Sequence, residues 1–522
     1  MSILDKASLI QIPSGYKSTK LYSLKPSNGN GDFTFARASS ATRVNSDGLI
    51  ETAQVVSTTE LVTNGDFATD SDWSKGNKWT ISGGTANKAT GSTSNISQVI
   101  SGISGKRIQV TFTISNQSGS GGVGASANGS DYTQNSANGT YTEYITPTSD
   151  NFYIRASYSF VCSIDNVSVK EVIENDVPRL DYSDGSCASL LLEPQSTNLI
   201  THSEDIGSNG FNVIGTSIQS NVTTSPDGTT NADLHKEDSS NGSHFMYKDL
   251  NLSSGQTYAI SVFAKSNGTN RNLRFADGGV GWSSGFAINF DLTNGTADSG
   301  GVIESYGNGW YRCSVVGTTN ATTSRLLVYN LLNTATSYQG NGTSGVFLYG
   351  LQIEQQSYAT SYIPTSGASA TRTDESFVAD TLSTIIGQTE GCIFIDFVYY
   401  EGNRFEIFNA SSTADGFLIY RSGTAYNLQV GNGGSYWAIT NMVTGLTIGT
   451  RYKLAINYKL NDYKVYVNGS QTATNTSIEV PTTNKIISSE SSGGNKFTNN
   501  INQFMMFDEK LTDAELAALT TI

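Results

Sequence analysis

At 522 residues the chain is long enough for about three or four domains, each with its own core. Its 31 basic and 45 acidic residues leave a net charge of −14, which argues against nucleic acid, whose phosphates call for Lys and Arg. Only 15% of residues are charged, and 53 Gly with abundant Asn, Ser and Thr accompany 10% aromatics. That excludes a disordered or largely helical chain and favours an all-β, turn-rich one.

The start, Met1-Ser2-Ile3-Leu4-Asp5-Lys6, lacks the basic and apolar regions of a signal peptide. No run of 18 apolar residues predicts membrane insertion. Cys162, Cys187, Cys313 and Cys392 are scattered without paired spacing, so isolated thiols and synthesis in a reducing cytoplasm are expected. Residues 1–57 show little periodicity and read as an irregular N-terminal arm that packs against something else. Residues 58–174 behave differently. Ile108, Val110, Phe112 and Ile114 alternate with Gln109, Thr111 and Thr113, the pattern of a half-buried strand, and short strands with Gly/Asn/Ser turns follow. A two-sheet jelly-roll sandwich is predicted.

Residues 175–197 form a connector whose Leu190, Leu191 and Leu192 are expected to pack between domains. Residues 198–375 repeat the sandwich plan, with strand faces at Tyr258, Ile260, Val262 and Ala264 and a closing run at 346–354. In residues 376–522, Tyr452, Leu454, Ile456 and Tyr458 alternate, Asn461-Asp462 makes a turn, and Tyr463, Val465 and Val467 return as a hairpin. One helix is predicted at the end, with Thr512 as N-cap, Glu515 completing a capping box, and Leu511 and Leu516 as a hydrophobic staple.

No catalytic constellation stands out, and the chain is expected not to be an enzyme. His202, His235 and His244 show no metal-binding spacing, and the last two sit in a polar, loop-like stretch expected to be solvated. Gly281-Trp282-Ser283-Ser284-Gly285 matches the letters of a nucleophile elbow, but the residues after it alternate like a strand where a helix is required. What remains is binding chemistry, because sugars are held by aromatic rings and by amides or carboxylates. Tyr436 and Trp437, flanked by glycines, are the leading glycan-binding candidates, followed by Trp282 and Trp73. Trp79 and Trp310 are assigned to cores. Asp66 and Asp165, on the opening and closing strands of the first sandwich, are candidate ligands of a structural Ca²⁺.

Two stretches carry a family resemblance: FTFARASSATRVNSDGLIE (33–51) and VPRLDYSDGSCASLLLEPQSTNLI (177–200), joined by YGLQIEQQSYATSYIPTSGASATRTDE (349–375). They resemble tail-fibre and other virion appendage proteins of tailed bacteriophages. The first sandwich is similar to carbohydrate-binding-module jelly rolls, with its NGDF start, Trp79 and closing IDNVSV, although Ala68 replaces the Glu that usually follows that Phe. The last block resembles laminin-G or concanavalin-A-like domains through YKVYVNG (463–469) and INQFMMFDEKLTDAELAAL (501–519). The resemblance implies a virion protein that docks to other virion proteins through residues 1–57 and binds host surface glycan. Fibre proteins of this kind are often homotrimers, so a homo-oligomer is expected. The alternatives are a head or tail decoration protein that contacts only the virion, and a polysaccharide depolymerase.

Overall fold

In the computed structural model, which describes residues 2–522 except 184, 186, 284, 381 and 490–495, the regular secondary structure is almost all antiparallel strand. It divides into two units, residues 54–174 and the remainder, residues 1–53 with 175–522.

The 54–174 unit is built around Ile108–Ser118. Its Ile108, Val110, Phe112 and Ile114 are fully buried and the intervening residues half-exposed, as strand periodicity requires. The strand lies between Gly139–Ile145 and Val161–Ile173 in a six-stranded sheet. A four-stranded sheet carrying Asn151–Ala156 and Ser94–Val99 covers the apolar face. Phe67, Trp73, Trp79, Ile96, Phe112, Phe152 and Phe160 fill the space between. Both ends of the unit meet, because Val55 and Val56 pair with Ile173 and Val172. Truncating Phe112 to Ala is expected to cost about 3–5 kcal/mol, read as a fall in the urea midpoint of this unit. A shift below about 1 kcal/mol would mean that the ring does not anchor the core.

In the larger unit, residues 198–375 supply a second sandwich. Its seven-stranded sheet includes Asn241–Asn251, Thr323–Leu332 and Arg271–Ala276, and its six-stranded sheet includes Gly345–Glu354, Thr257–Asn267 and Tyr311–Thr318. The core holds Tyr258, Ile260, Phe275, Trp282, Phe290 and Leu348.

The C-terminal sandwich is not built from residues 376–522 alone. Leu9–Gln11 pairs with Asn500–Phe507, and Phe33–Ala36 inserts beside Ser376–Ala379, with Tyr16–Lys17 and Lys20–Leu21 continuing that sheet. Phe33 stacks on Phe377 with centroids 4.3 Å apart, and Leu9, Leu21 and Phe35 join the same core. Residues 9–36 of the segment expected as an irregular arm (1–57) are therefore structural material of this sandwich. Their strands span two to four residues, too short for an alternation to register, although Phe33 and Phe35 flanking exposed Thr34 already carry it. Leu190 and Leu192 also enter this core, and Leu190 pairs with Ile501.

The hairpin turns at Asn461, whose φ is +56°, and Tyr452, Leu454, Ile456 and Tyr458 face the core. Ala455 and Asn457, on the opposite face, are buried as well. The helix Asp513–Thr520 covers them, capped by Thr512 and Glu515 in a reciprocal box. Leu516 packs there with Ala455 and Met505, and Asn457 exchanges two hydrogen bonds with the backbone of Leu511 (2.7 and 3.1 Å).

Five charged residues of the 33–51, 177–200 and 349–375 motifs meet in one buried cluster. Arg37, Arg179 and Arg372 surround Glu193 and Glu375, and all five are at most 6% exposed. Glu375 accepts from Arg37 (2.9 Å), from Arg179 (2.7 Å) and from the Glu193 amide (3.0 Å). Glu193 accepts from Arg179 (2.7 Å) and from the amide and hydroxyl of Ser361 (2.7 and 2.6 Å), and lies 2.8 Å from the Arg372 guanidinium.

Candidate functional site

Tyr436 is the sequence-predicted aromatic most open to solvent, at 58% exposure. It sits on Ser435–Val443, the last strand of the nine-stranded sheet, just after a tight turn. Gly433 and Gly434 take φ values of +55° and +84°, a combination that side chains disfavour at both positions and that two-residue hairpins require. The Gly433 amide donates to Asp415 (2.8 Å) and Asn432 donates to Glu479 (2.8 Å), which fixes the turn.

Strand register decides what surrounds the ring. Tyr436 pairs with Gly431, Gly431 with Gly416 and Gly416 with Phe408, so these residues share the outer face. The next row on that face is Ala438, Gln429, Leu418 and Glu406. A side chain at residue 431 would begin 2.0 Å from the Ala414 carbonyl and 3.2 Å from the Tyr436 ring, so the backbone there must stay bare. The result is a shallow depression of about 130 Å³ lined by Arg404, Glu406, Phe408, Leu418, Gln429 and Tyr436. Arg404 donates to Glu406 at 2.5 Å, holding a charged pair at the floor. An aromatic ring, an amide, a carboxylate and a guanidinium on one open face can take a hydroxylated ring by stacking and hydrogen bonding.

Trp437 points the other way. It pairs with Val430, half-buried against the C-terminal core, because consecutive strand residues face opposite sides of a sheet. Tyr436 and Trp437 are thus neighbours in sequence but not partners in one site. Trp282 and Trp73 are also corrected: each is 6% exposed and its indole N–H is satisfied internally. Trp282 donates to the Arg325 carbonyl (2.8 Å) and packs on Phe286; Trp73 donates to the Asn64 carbonyl (3.0 Å) between Phe67 and Phe152. Neither can reach a ligand. Trp79 and Trp310 are buried as expected.

Asp66 and Asp165 lie on neighbouring stretches, since the Val167 amide donates to the Gly65 carbonyl (2.8 Å). Each carboxylate caps an amide of its own turn, Ala68 for Asp66 (3.3 Å) and Asn166 for Asp165 (2.6 Å). Calcium takes six to eight oxygens. Among the described residues no group of three or more His, Cys, Asp or Glu side chains is placed to hold a metal, so a Ca²⁺ at this pair would draw its remaining ligands from backbone carbonyls.

His235 and His244, expected as solvated, are fully buried on strands Thr230–Glu237 and Asn241–Asn251. Burial, reinforced by His244, pushes the His235 imidazole down to about 3, so it stays neutral. His244 lies between the carbonyls of Gly215 (2.7 Å) and Tyr338 (3.2 Å). Ser283 is fastened by its amide and hydroxyl to the Thr318 carbonyl, and Ala287–Asp291 after it is a strand, as the sequence predicts. Ser284 lies outside the described residues.

By sequence, residues 397–517 match the family model described as the concanavalin A-like lectin/glucanases superfamily. No curated protein matches the chain. Among solved structures, a mutant of the NanB sialidase of Streptococcus pneumoniae is 13% identical over 28% of this chain and 26% of its own, with a TM-score of 0.25. The CBM40 module of the Ruminococcus gnavus IT-sialidase, bound to α2,3-sialyllactose, is 17% identical over 27% of this chain and 91% of its own, at 0.23. Domain 4 of the arabinanase AbnA of Geobacillus stearothermophilus, in complex with arabinotriose, is 14% identical over 28% and 73%, at 0.25. The chain thus spans about a quarter of the NanB sialidase it matches, and such overlaps carry no inference about chemistry. Residues 397–517 thus form most of a concanavalin A-like sandwich that the N-terminal strands complete, within an all-β protein of jelly-roll type.

Proposed function

We propose that the protein is a structural virion protein of a tailed bacteriophage, a tail fibre or appendage that binds host surface glycan without cleaving it. The observation that carries the binding reading is the exposed Tyr436 ring beside Arg404, Glu406 and Gln429, on a sandwich of the concanavalin A-like superfamily. The open, shallow face suits weak single-site binding that copies on one particle strengthen by avidity. The virion role rests on the resemblance of the 33–51, 177–200 and 349–375 motifs.

Tyr436→Ala is expected to weaken binding to host surface polysaccharide by about tenfold, the loss of one stacked ring. Its melting temperature should stay put, because the ring is exposed. Unchanged binding by calorimetry would remove the site. Absence of the chain from purified particles, read by mass spectrometry, would remove the virion role. Release of reducing ends from that polysaccharide would replace binding with hydrolysis.

A further inference from the structure

We propose that a second cavity in the larger unit, separate from the Tyr436 face, takes an uncharged polyhydroxylated ligand the size of a single sugar ring. The cavity has a volume of about 300 Å³, at the small end of ligand pockets. It lies where the Thr42–Val44 strand, the Leu180–Asp181 strand, the 304–312 turn of the second sandwich and the 358–362 segment come together. Glu304, Ser305 and Ser183 are exposed at its mouth, and Arg43, Tyr306 and Tyr400 are half-exposed.

The wall is aromatic and polar together. Tyr306 meets Phe263 edge to face with centroids 4.8 Å apart, and Tyr358 lies 5.1 Å from Tyr400. Arg312, 5% exposed, donates to the Thr360 carbonyl (2.6 Å) and Ser261 hydroxyl (3.0 Å). The protein supplies no partner to its Nε–H or to the buried Tyr358 hydroxyl, so the wall residues carry hydrogen-bonding capacity the polypeptide leaves unused.

Charge selects the ligand class. Arg43 is held by Glu51 (3.0 and 2.9 Å), and Glu193 by Arg179 and Arg372. Asp181 accepts from the Val44 amide (2.7 Å) and from Ser183, and burial raises its carboxyl above the usual range. A phosphate would meet the Arg312 guanidinium but would also sit near Asp181 and Glu304, with Arg43 already paired to Glu51, a costly arrangement. Among the described residues no group of acids is placed to hold a metal ion. An apolar group would strand the polar wall. Hydroxyl groups both donate and accept, and a sugar's C–H face fits the tyrosine rings.

The test uses the full chain carrying Tyr436→Ala, so that the surface face cannot contribute. Methyl glucoside, galactoside and mannoside are titrated by calorimetry and saturation-transfer NMR, beside glucuronate and inorganic phosphate. At least one neutral glycoside is expected to bind at one site. Ser305→Trp, which plugs the mouth from an exposed position, should cost about tenfold or more in affinity. Tyr306→Phe, which keeps the ring on Phe263 and removes one hydroxyl, should weaken binding several-fold. Both variants should melt like the parent. The proposal is overturned if no neutral glycoside binds, if only phosphate or glucuronate does, or if binding is untouched in both variants.

Discussion

Replacing Glu375 with Gln should destabilise the larger unit by about 3–5 kcal/mol, the usual result of breaking a buried ion pair from one side. The cluster holds three guanidiniums and two carboxylates, so loss of the Glu375 charge leaves three buried cations against the single charge of Glu193, whose carboxylate contacts only Arg179 and Arg372 within the cluster. Gln preserves the shape, and the cost is therefore electrostatic. Against a typical total of about 5–15 kcal/mol, that is a large fraction of the margin. The pH dependence follows from the same contacts. Burial alone would raise both carboxyls, but Arg372 and Arg179 hold Glu193 below the usual range, and Arg179 and Arg37 hold Glu375 there. Groups depressed in the folded state stabilise fully above their unfolded pKa of about 4.3 and lose that contribution as pH falls through the folded value. The parent should therefore melt progressively earlier below about pH 4, and Glu375→Gln should show a shallower acid slope. Equal melting temperatures for the two proteins at pH 7 would show that the cluster is not a stabilising node.

Fragments should behave just as unequally. Residues 54–174 expressed alone are expected to fold, since their core draws on no residue outside them. Residues 376–522 alone are expected to aggregate. They lack Leu9, Leu21, Phe33 and Phe35, whose burial is worth about 1.5–3 kcal/mol each, and they leave Asn500–Phe507 without Leu9–Gln11 and Leu190 on its free side. Heteronuclear NMR and size-exclusion chromatography decide both cases. A monomeric, dispersed spectrum from 376–522 would show that the N-terminal strands are dispensable.

The sequence was most readable where contacts are local or a pattern is long. The Ile108–Ile114 alternation, the 452–467 hairpin and the Thr512 capping box each involve residues close together in sequence and appear in the structure as expected. It was least readable where partners are distant. Arg37 and Glu375 are 338 positions apart, and nothing in either motif says they touch, although each motif had been singled out. The candidate site was partly legible. Gly433-Gly434 marks a turn with aromatics after it, but which of Tyr436 and Trp437 faces outward depends on register, set by the pairing of Tyr436 with Gly431. Trp73 and Trp282 show the limit of residue type, since an indole reads the same in a core or on a surface. His235 shows it again, because polar neighbours in sequence, Asp233 and Lys236, did not reveal a fully buried ring.

The pairing of Val55 and Val56 with Ile173 and Val172 has a consequence for how the chain can be assembled and altered. Once that pairing forms, about 120 residues of intervening chain act as a loop whose ends lie only about 5 Å apart, so the entropy of closing it need not be met again when residues 1–53 find 175–522. The 54–174 unit thus carries its own closing clasp. The host chain on both sides then sees only two adjacent ends, which is what a different module with paired termini would also present.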